Sequence, residues 1–320
     1  MQAGFGRGSV NACQVVSVFG GRFMADRKLF DDEFLRRLQR LGLIAKRVSA
    51  SSAAAGQRRA RRLGDGLEFA DHRAYTPGDD IRFMDWPYYA RMERLLLRLF
   101  HEHSEGEVSI LLDASASMGL GEVRKFDYAR RTAAALAYVA MASLDRVRIL
   151  PFAEGLSDGL HTGRNRGQIL QVLDFLEALP AGGSTRLHAS VAQYLQRYRQ
   201  TGTVMIVSDL LEAGEELSDA LMLLRQRRDD VIVLHVADRS DSSPELSGPA
   251  QLACVETDRR MSLEVSEAVL AAYAERWAGF VRGVEKACLG RGAVYVQAPT
   301  SAPFDRLVLE ALQRAGVLQA

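Results

Sequence analysis

Ile110-Leu111-Leu112-Asp113-Ala114-Ser115-Ala116-Ser117-Met118 is the stretch whose reading decides the fold. From Val108 to Leu112 the aliphatic run reads as a buried strand, and it ends by releasing an aspartate and two serines into the turn before a helix. Apolar strand candidates recur at Val147–Phe152, Val204–Val207, Val231–Val236 and Ala293–Val296. Helical stretches lie between or after them, at about Val123–Ser143, Gln168–Leu179, Leu187–Tyr198, Glu215–Arg227 and Ser266–Leu289. Such alternation predicts a doubly wound, mostly parallel sheet with helices on both faces. Leu156–Thr162 is less apolar and reads as an edge strand, and Ala302–Leu318 as a last helix.

Upstream the texture differs. Phe30–Lys46 places Phe30, Phe34, Leu38 and Leu41 near helical spacing, which predicts an amphipathic helix. Ser49–Arg62 reads as a linker that ends in the basic run Gln57-Arg58-Arg59-Ala60-Arg61-Arg62, either a solvated surface or an arm docking on an acidic partner. Leu67–Arg73, Ile81–Asp85 and Arg94–Phe100 look like short strands, separated by a turn at Thr76-Pro77-Gly78-Asp79 and a break at Trp86-Pro87. The expected organisation is a flexible extension over 1–23 and a helix, linker and small β-rich module over 24–105, with the main α/β domain over 106–320. The module is expected to pack against that domain. Residues 1–23 are poor in pattern, and the native chain is alternatively expected to begin at Met24.

Composition narrows the function classes. A formal net charge of +1 gives no ground for general affinity to nucleic acid or anionic membrane. The three cysteines, Cys13, Cys254 and Cys288, are widely spaced and fit a reducing cytosol better than a disulfide framework or structural zinc site. The nearly apolar stretch Thr132–Leu144 is too short to span a bilayer. Val10–Phe19 is interrupted by Asn11, Gln14 and Ser17, so no signal peptide is expected and a cytoplasmic location is.

Candidate site residues come from separate segments. Asp113, Ser115 and Ser117 leave the first strand. Thr185 follows in the loop Gly182-Gly183-Ser184-Thr185-Arg186, and Asp209 ends the strand Val204-Met205-Ile206-Val207-Ser208. In doubly wound sheets ligands bind outside the carboxyl ends of strands, so these loops share a plausible address. The bland alternative is that Asp113, Ser115 and Ser117 merely cap a helix and close a turn.

Together these residues resemble the metal-ion-dependent adhesion site of von Willebrand factor A-like domains. The resemblance implies a Rossmann-like sheet in which the strands ending at Asp113 and Asp209 are neighbours. It also implies that Ser115, Ser117 and Thr185 touch a cation while both aspartates act largely through water. Hard oxygen ligands suit Mg²⁺, or Mn²⁺ in its place. Neutral hydroxyls leave the ion much of its charge, with reason to recruit a carboxylate from a partner. Leu210 departs from the pattern, since many such domains carry Gly after the acid.

The segment from Gly66-Leu67-Glu68-Phe69-Ala70-Asp71-His72-Arg73 through Thr76-Pro77-Gly78-Asp79-Asp80-Ile81-Arg82-Phe83-Met84-Asp85-Trp86 to Ala90-Arg91 resembles the bacterial domain-of-unknown-function family 58. Met84 and Pro87-Tyr88-Tyr89 depart from its commonest pattern. The resemblance covers Gly66–Met118 densely and implies a MoxR-type AAA+ ATPase partner, in assembly or maturation of other proteins. Asp79, Asp80, Arg82, Asp85 and Arg91 are expected to form an ion-pair network, structural or partner-facing.

Rival chemistries are weaker. Asp113 as nucleophile of a metal-dependent phosphohydrolase lacks the second Asp two positions on, where Ser115 stands. His101 and His103 share a strand face without a third zinc ligand in sight. Gly119-Leu120-Gly121 lacks the third glycine of a dinucleotide fingerprint, and no Gly-x-x-x-x-Gly-Lys-Ser/Thr loop or Gly-x-Ser-x-Gly elbow occurs. The expected function is a non-catalytic, metal-dependent adaptor that binds an acidic residue of a protein ligand. The alternatives are the phosphohydrolase and a metal-free scaffold.

Overall fold

The computed structural model describes residues 29–54, 63–77, 79–101, 106–163, 166–211, 214–257 and 259–315. The chain divides into two compact units, one holding the segment 47–105 and the other the flanking sequence.

In the larger unit the strands are β3 (Glu107–Asp113), β4 (Arg146–Phe152), β5 (Leu160–Thr162), β6 (Thr203–Ser208), β7 (Asp230–Ala237) and β10 (Val294–Pro299). They form one six-stranded sheet in the order β10-β7-β6-β3-β4-β5, parallel except for the edge strand β5. Every residue of β3 is buried, as a strand covered on both faces requires. Helices α3 (Lys125–Ala142), α4 (Ile169–Ala178), α5 (Leu187–Arg197), α6 (Gly214–Gln226), α8 (Glu267–Gly290) and α9 (Phe304–Arg314) lie close to the expected positions. Leu111, Ile206 and Val233 share one core cluster with Leu187, Val191, Leu217, Leu221 and Val284 of α5, α6 and α8. Alternation along the strands turns Ile110, Leu112, Met205 and Val207 to the opposite face, on the side of α3.

Helix α1 (Asp32–Ala54) runs through Ser49–Ala54, which had read as linker; its alanines and serines sustain the helix as well as they would a coil. The helix crosses the division between the two units, which falls after Lys46. Phe34 packs on Phe304 of α9 with ring centroids 4.7 Å apart, Arg37 pairs with Asp305, and Arg131 of α3 donates to the Leu29 carbonyl at 2.8 Å. Three elements had no counterpart in the sequence reading. They are the one-turn α7 (Arg239–Ser242) and a separate antiparallel hairpin, β8 (Gly248–Ala253) with β9 (Arg260–Val265). Cys254 and Cys288 are both free. No helix among the described residues is long and apolar enough to cross a membrane.

The smaller unit pairs β1 (Leu63–Ala74) antiparallel with β2 (Leu96–His101). Ile81–Phe83 is a 3₁₀ turn rather than the expected strand, and the expected break at Trp86-Pro87 opens helix α2 (Trp86–Met92). Proline fits a helix's first turn because the N–H it lacks has no partner there anyway, and Asp85 caps the helix through the Tyr88 N–H at 3.0 Å. The expected ion-pair network separates into local clusters. Asp79 binds Arg73 at 2.7 Å and Thr76, Asp80 binds Arg82, and Asp85 meets His72 at 2.8 Å, while Arg91 donates to the Pro87 carbonyl. The Thr76 and Arg73 contacts hold Asp79 down at about 2. Residues 58–62 and His103 lie outside the described residues; His101 closes β2.

Candidate metal centre

The chain leaves β3 for β4 on one side of the sheet and later returns to β6 on the other, so the crevice between the carboxyl ends of β3 and β6 is the topological switch point. Leu112 lies beside Val207 in register, which brings Asp113 next to Ser208. Ser208 donates its hydroxyl to Asp113 Oδ2 at 2.5 Å, and the Ser115 N–H donates to Asp113 Oδ1 at 2.9 Å. Asp113 is fully buried, and burial followed by the charge of nearby Asp209 pushes its carboxyl up to about 7 against those hydrogen bonds.

Ser115 Oγ and Ser117 Oγ stand 3.0 Å apart, both buried. An octahedral Mg²⁺ with ligands at about 2.0–2.1 Å sets neighbouring oxygens about 2.9 Å from each other, so the hydroxyl pair has the spacing of one octahedral edge. The Gly182–Arg186 loop is laced to this turn: Gly182 N–H donates to the Ala114 carbonyl at 2.7 Å, and Ala116 N–H to the Gly183 carbonyl at 2.9 Å. Gly183 adopts φ +82°, a backbone state that suits glycine. Thr185, two residues on, gives its N–H and hydroxyl to Glu256 at 3.0 and 3.2 Å. Asp113, Ser115 and Ser117 are thus in direct hydrogen-bonded contact, and Thr185 reaches the cluster through its loop.

Asp209 has a different setting from the one the resemblance implies. Its Oδ2 accepts Lys125 Nζ at 2.7 Å, and its Oδ1 the Leu211 N–H at 3.3 Å. Lys125, first residue of α3, has no exposed surface, and its ammonium also lies 3.4 Å from Asp241. Burial alone would lower the lysine, but Asp209 and Asp241 more than offset it and hold it charged. Burial pushes Asp241 up despite Lys125. One ammonium therefore serves the two buried carboxylates Asp209 and Asp241, while Asp113 is held by Ser208 and the Ser115 N–H. His235 on β7 adds no cation, since burial pushes it down to about 4 and keeps it neutral. No group of three or more His, Cys, Asp or Glu side chains among the described residues is placed to hold a metal. Any cation here would rest on hydroxyls with one carboxylate behind them. Hard, neutral oxygens at this spacing fit Mg²⁺ or Mn²⁺.

Leu210 sits at φ +57°, the left-handed region, and its side chain is fully buried. The backbone demand is the one that glycine meets without strain, at a cost of roughly 1–2 kcal/mol for other residues. Burial of the leucine side chain is worth roughly 1.5–3 kcal/mol and offsets it.

Sequence reasoning missed Lys125, Ser208 and Glu256. Ser208 precedes Asp209 directly and carried a signal. Lys125 looks like an ordinary helix-start charge, and Glu256 lies in a stretch without periodic pattern.

The sheet and its rim define a class, a doubly wound α/β domain with a carboxylate and hydroxyls gathered at its switch point. The chain belongs to the family described as Protein of unknown function DUF58, whose model matches residues 71–279. It is 30% identical over 154 residues to the uncharacterized protein Rv1480 of Mycobacterium tuberculosis, a match covering 46% of this chain and 48% of that protein. The uncharacterized protein Mb1516 of Mycobacterium bovis matches to the same extent, so the chain spans about half the length of the curated relatives it matches. Among solved structures it is similar to the conserved hypothetical protein BatB from Bacteroides thetaiotaomicron, at 17% identity and TM-score 0.40 over 66% of this chain and 98% of that one. It is also similar to the von Willebrand factor type A protein from Catenulispora acidiphila, at 12% identity and TM-score 0.37 over 69% and 43% of the two chains.

Proposed function

We propose that this protein is a non-catalytic adaptor whose Ser115, Ser117 and Thr185 hydroxyls, with Asp113 behind them, hold Mg²⁺ or Mn²⁺ and so receive an acidic residue from a protein partner. The observation that carries the reading is the buried hydroxyl pair 3.0 Å apart at the sheet's switch point. When bound, the cation supplies a positive charge with a position open to a carboxylate. Asp113 and Ser208 fix the turn that carries the serines, and the Gly182–Gly183 loop, which leads to Thr185, is hydrogen-bonded to that turn. Asp209 acts mainly as the counter-ion of Lys125.

A binding role agrees with the state of Asp113, whose two oxygens each accept a hydrogen bond inside the protein, a poor disposition for a nucleophile. Lys125 favours a second reading, a metal-free scaffold in which the ammonium alone balances the rim. The family resemblance supplies the proposed partner, a MoxR-type AAA+ ATPase, and the proposed process, assembly or maturation of other proteins. Cytoplasmic residence is part of this reading and rests on the wide cysteine spacing.

The test is binding of a MoxR-type ATPase to the immobilised full chain in Mg²⁺ and then in EDTA. Binding is expected in Mg²⁺, with at least a tenfold loss in EDTA and in Ser115→Ala. Equal binding in both buffers would favour the scaffold.

A further inference from the structure

Glu256 lies between β8 and β9, remote in sequence from every candidate ligand, yet both of its carboxylate oxygens are on Thr185. Accepting the Thr185 hydroxyl proton leaves that oxygen's lone pairs for a cation, as a ligand requires. Glu256 Oε1 stands 3.2 Å from Thr185 Oγ1, close to the separation of neighbouring oxygens around an octahedral ion of about 2.9 Å.

The hairpin that delivers it is lightly held. Of its strand residues only Val265 is buried, and β8 and β9 pair with each other and with no strand of the main sheet. Among the described residues, the two hydrogen bonds that Glu256 accepts from Thr185 tie the hairpin's tip to the body of the unit. A segment with so little buried surface opens at small free-energy cost.

We infer that Glu256 is the chain's own occupant of the position a partner's carboxylate would take, so that the β8–β9 hairpin is a displaceable plug on the cation site. The inference rests on the cation reading above and deepens it. A hydroxyl-held cation retains charge and takes the nearest available carboxylate, and that one is built into the chain. An acidic partner must then compete with Glu256, and its binding releases the hairpin. Nothing covalent changes; one carboxylate replaces another.

The experiment uses Mn²⁺ in the full chain, with acetate as the carboxylate probe and bound-water number read from water-proton relaxation. Wild type, Glu256→Ala, Glu256→Gln and Ser115→Ala are compared. At Mn²⁺ saturation Glu256→Ala is expected to carry one more exchangeable water than wild type and to bind acetate at least tenfold more tightly. Glu256→Gln, which keeps the side-chain length, should also bind acetate more tightly than wild type. Equal water numbers and equal acetate affinities, with Mn²⁺ binding still lost in Ser115→Ala, would overturn the plug and leave the cation site standing. Loss of all Mn²⁺ binding in both Glu256 variants would make Glu256 an indispensable ligand and overturn its displacement. Failure of wild type to bind Mn²⁺ would remove the cation reading and the plug together.

Discussion

Lys125→Met is expected to destabilise the protein by about 3–5 kcal/mol, read as a fall in the midpoint of urea unfolding at neutral pH. The ammonium has no exposed surface and sits 2.7 Å from Asp209 and 3.4 Å from Asp241, both buried. Methionine preserves most of the side chain's volume, so little of the loss comes from packing. What remains is a pair of buried carboxylates without their counter-charge, and their desolvation is the cost. Adding Asp209→Asn and Asp241→Asn to Lys125→Met should recover much of the loss, because neutral amides need no ammonium. A loss below about 1 kcal/mol in the single variant would mean that the lysine does not neutralise these acids.

Asp113→Asn carries the second large effect, and its sign depends on pH. The Asp113 carboxyl rises from 3.8 to about 7 on folding, so the native state holds a proton there that the unfolded chain releases. A raised pKa contributes stability that is fully present below about 3.8 and lost as pH climbs through about 7. In chelator the asparagine variant, which cannot ionise, should therefore match wild type near pH 4 and exceed it progressively toward pH 8. The gap should reach about 4 kcal/mol by pH 8, given about 1.4 kcal/mol for each pKa unit. Ser208, which also accepts the Leu210 N–H, can reverse its hydroxyl to accept from the new amide. Comparison of the two proteins removes the opposite contributions of Asp79 and Asp238, whose carboxyls are held low and lose their contribution as pH falls. A gap that stays constant across the range would show that Asp113 does not take up a proton on folding.

The main sheet was legible in the sequence because its strands are nearly continuous Val, Ile and Leu runs, which only a doubly covered strand accommodates. β3 and β6 were placed to within a residue for that reason, and their adjacency follows from the resemblance. The hairpin was not legible. Gly248-Pro249-Ala250-Gln251-Leu252-Ala253 alternates half-buried with exposed residues over most of its length but fully buries none, and with Leu252 as its one large apolar side chain it gives no strand signal in the sequence. Trp86-Pro87 misled because proline ends helices and also begins them. At the site, Asp113, Ser115 and Ser117 were visible as a motif within one turn. Lys125 and Glu256 were not, because their roles come from tertiary partners that a linear reading cannot pair. Leu210 shows the same limit from the other side: its left-handed backbone is set by the loop, and its retention by the packing beneath it.

Whether the rim holds a divalent cation decides between an adhesion-type site and a scaffold. Calorimetric titration of Mg²⁺, and then Mn²⁺, into the chelator-treated full chain beside Ser115→Ala answers it most directly. Saturable binding at a single site, abolished in Ser115→Ala, is the expected result. Titrations in which neither ion binds, or in which Ser115→Ala binds as wild type does, would contradict the assignment of the site.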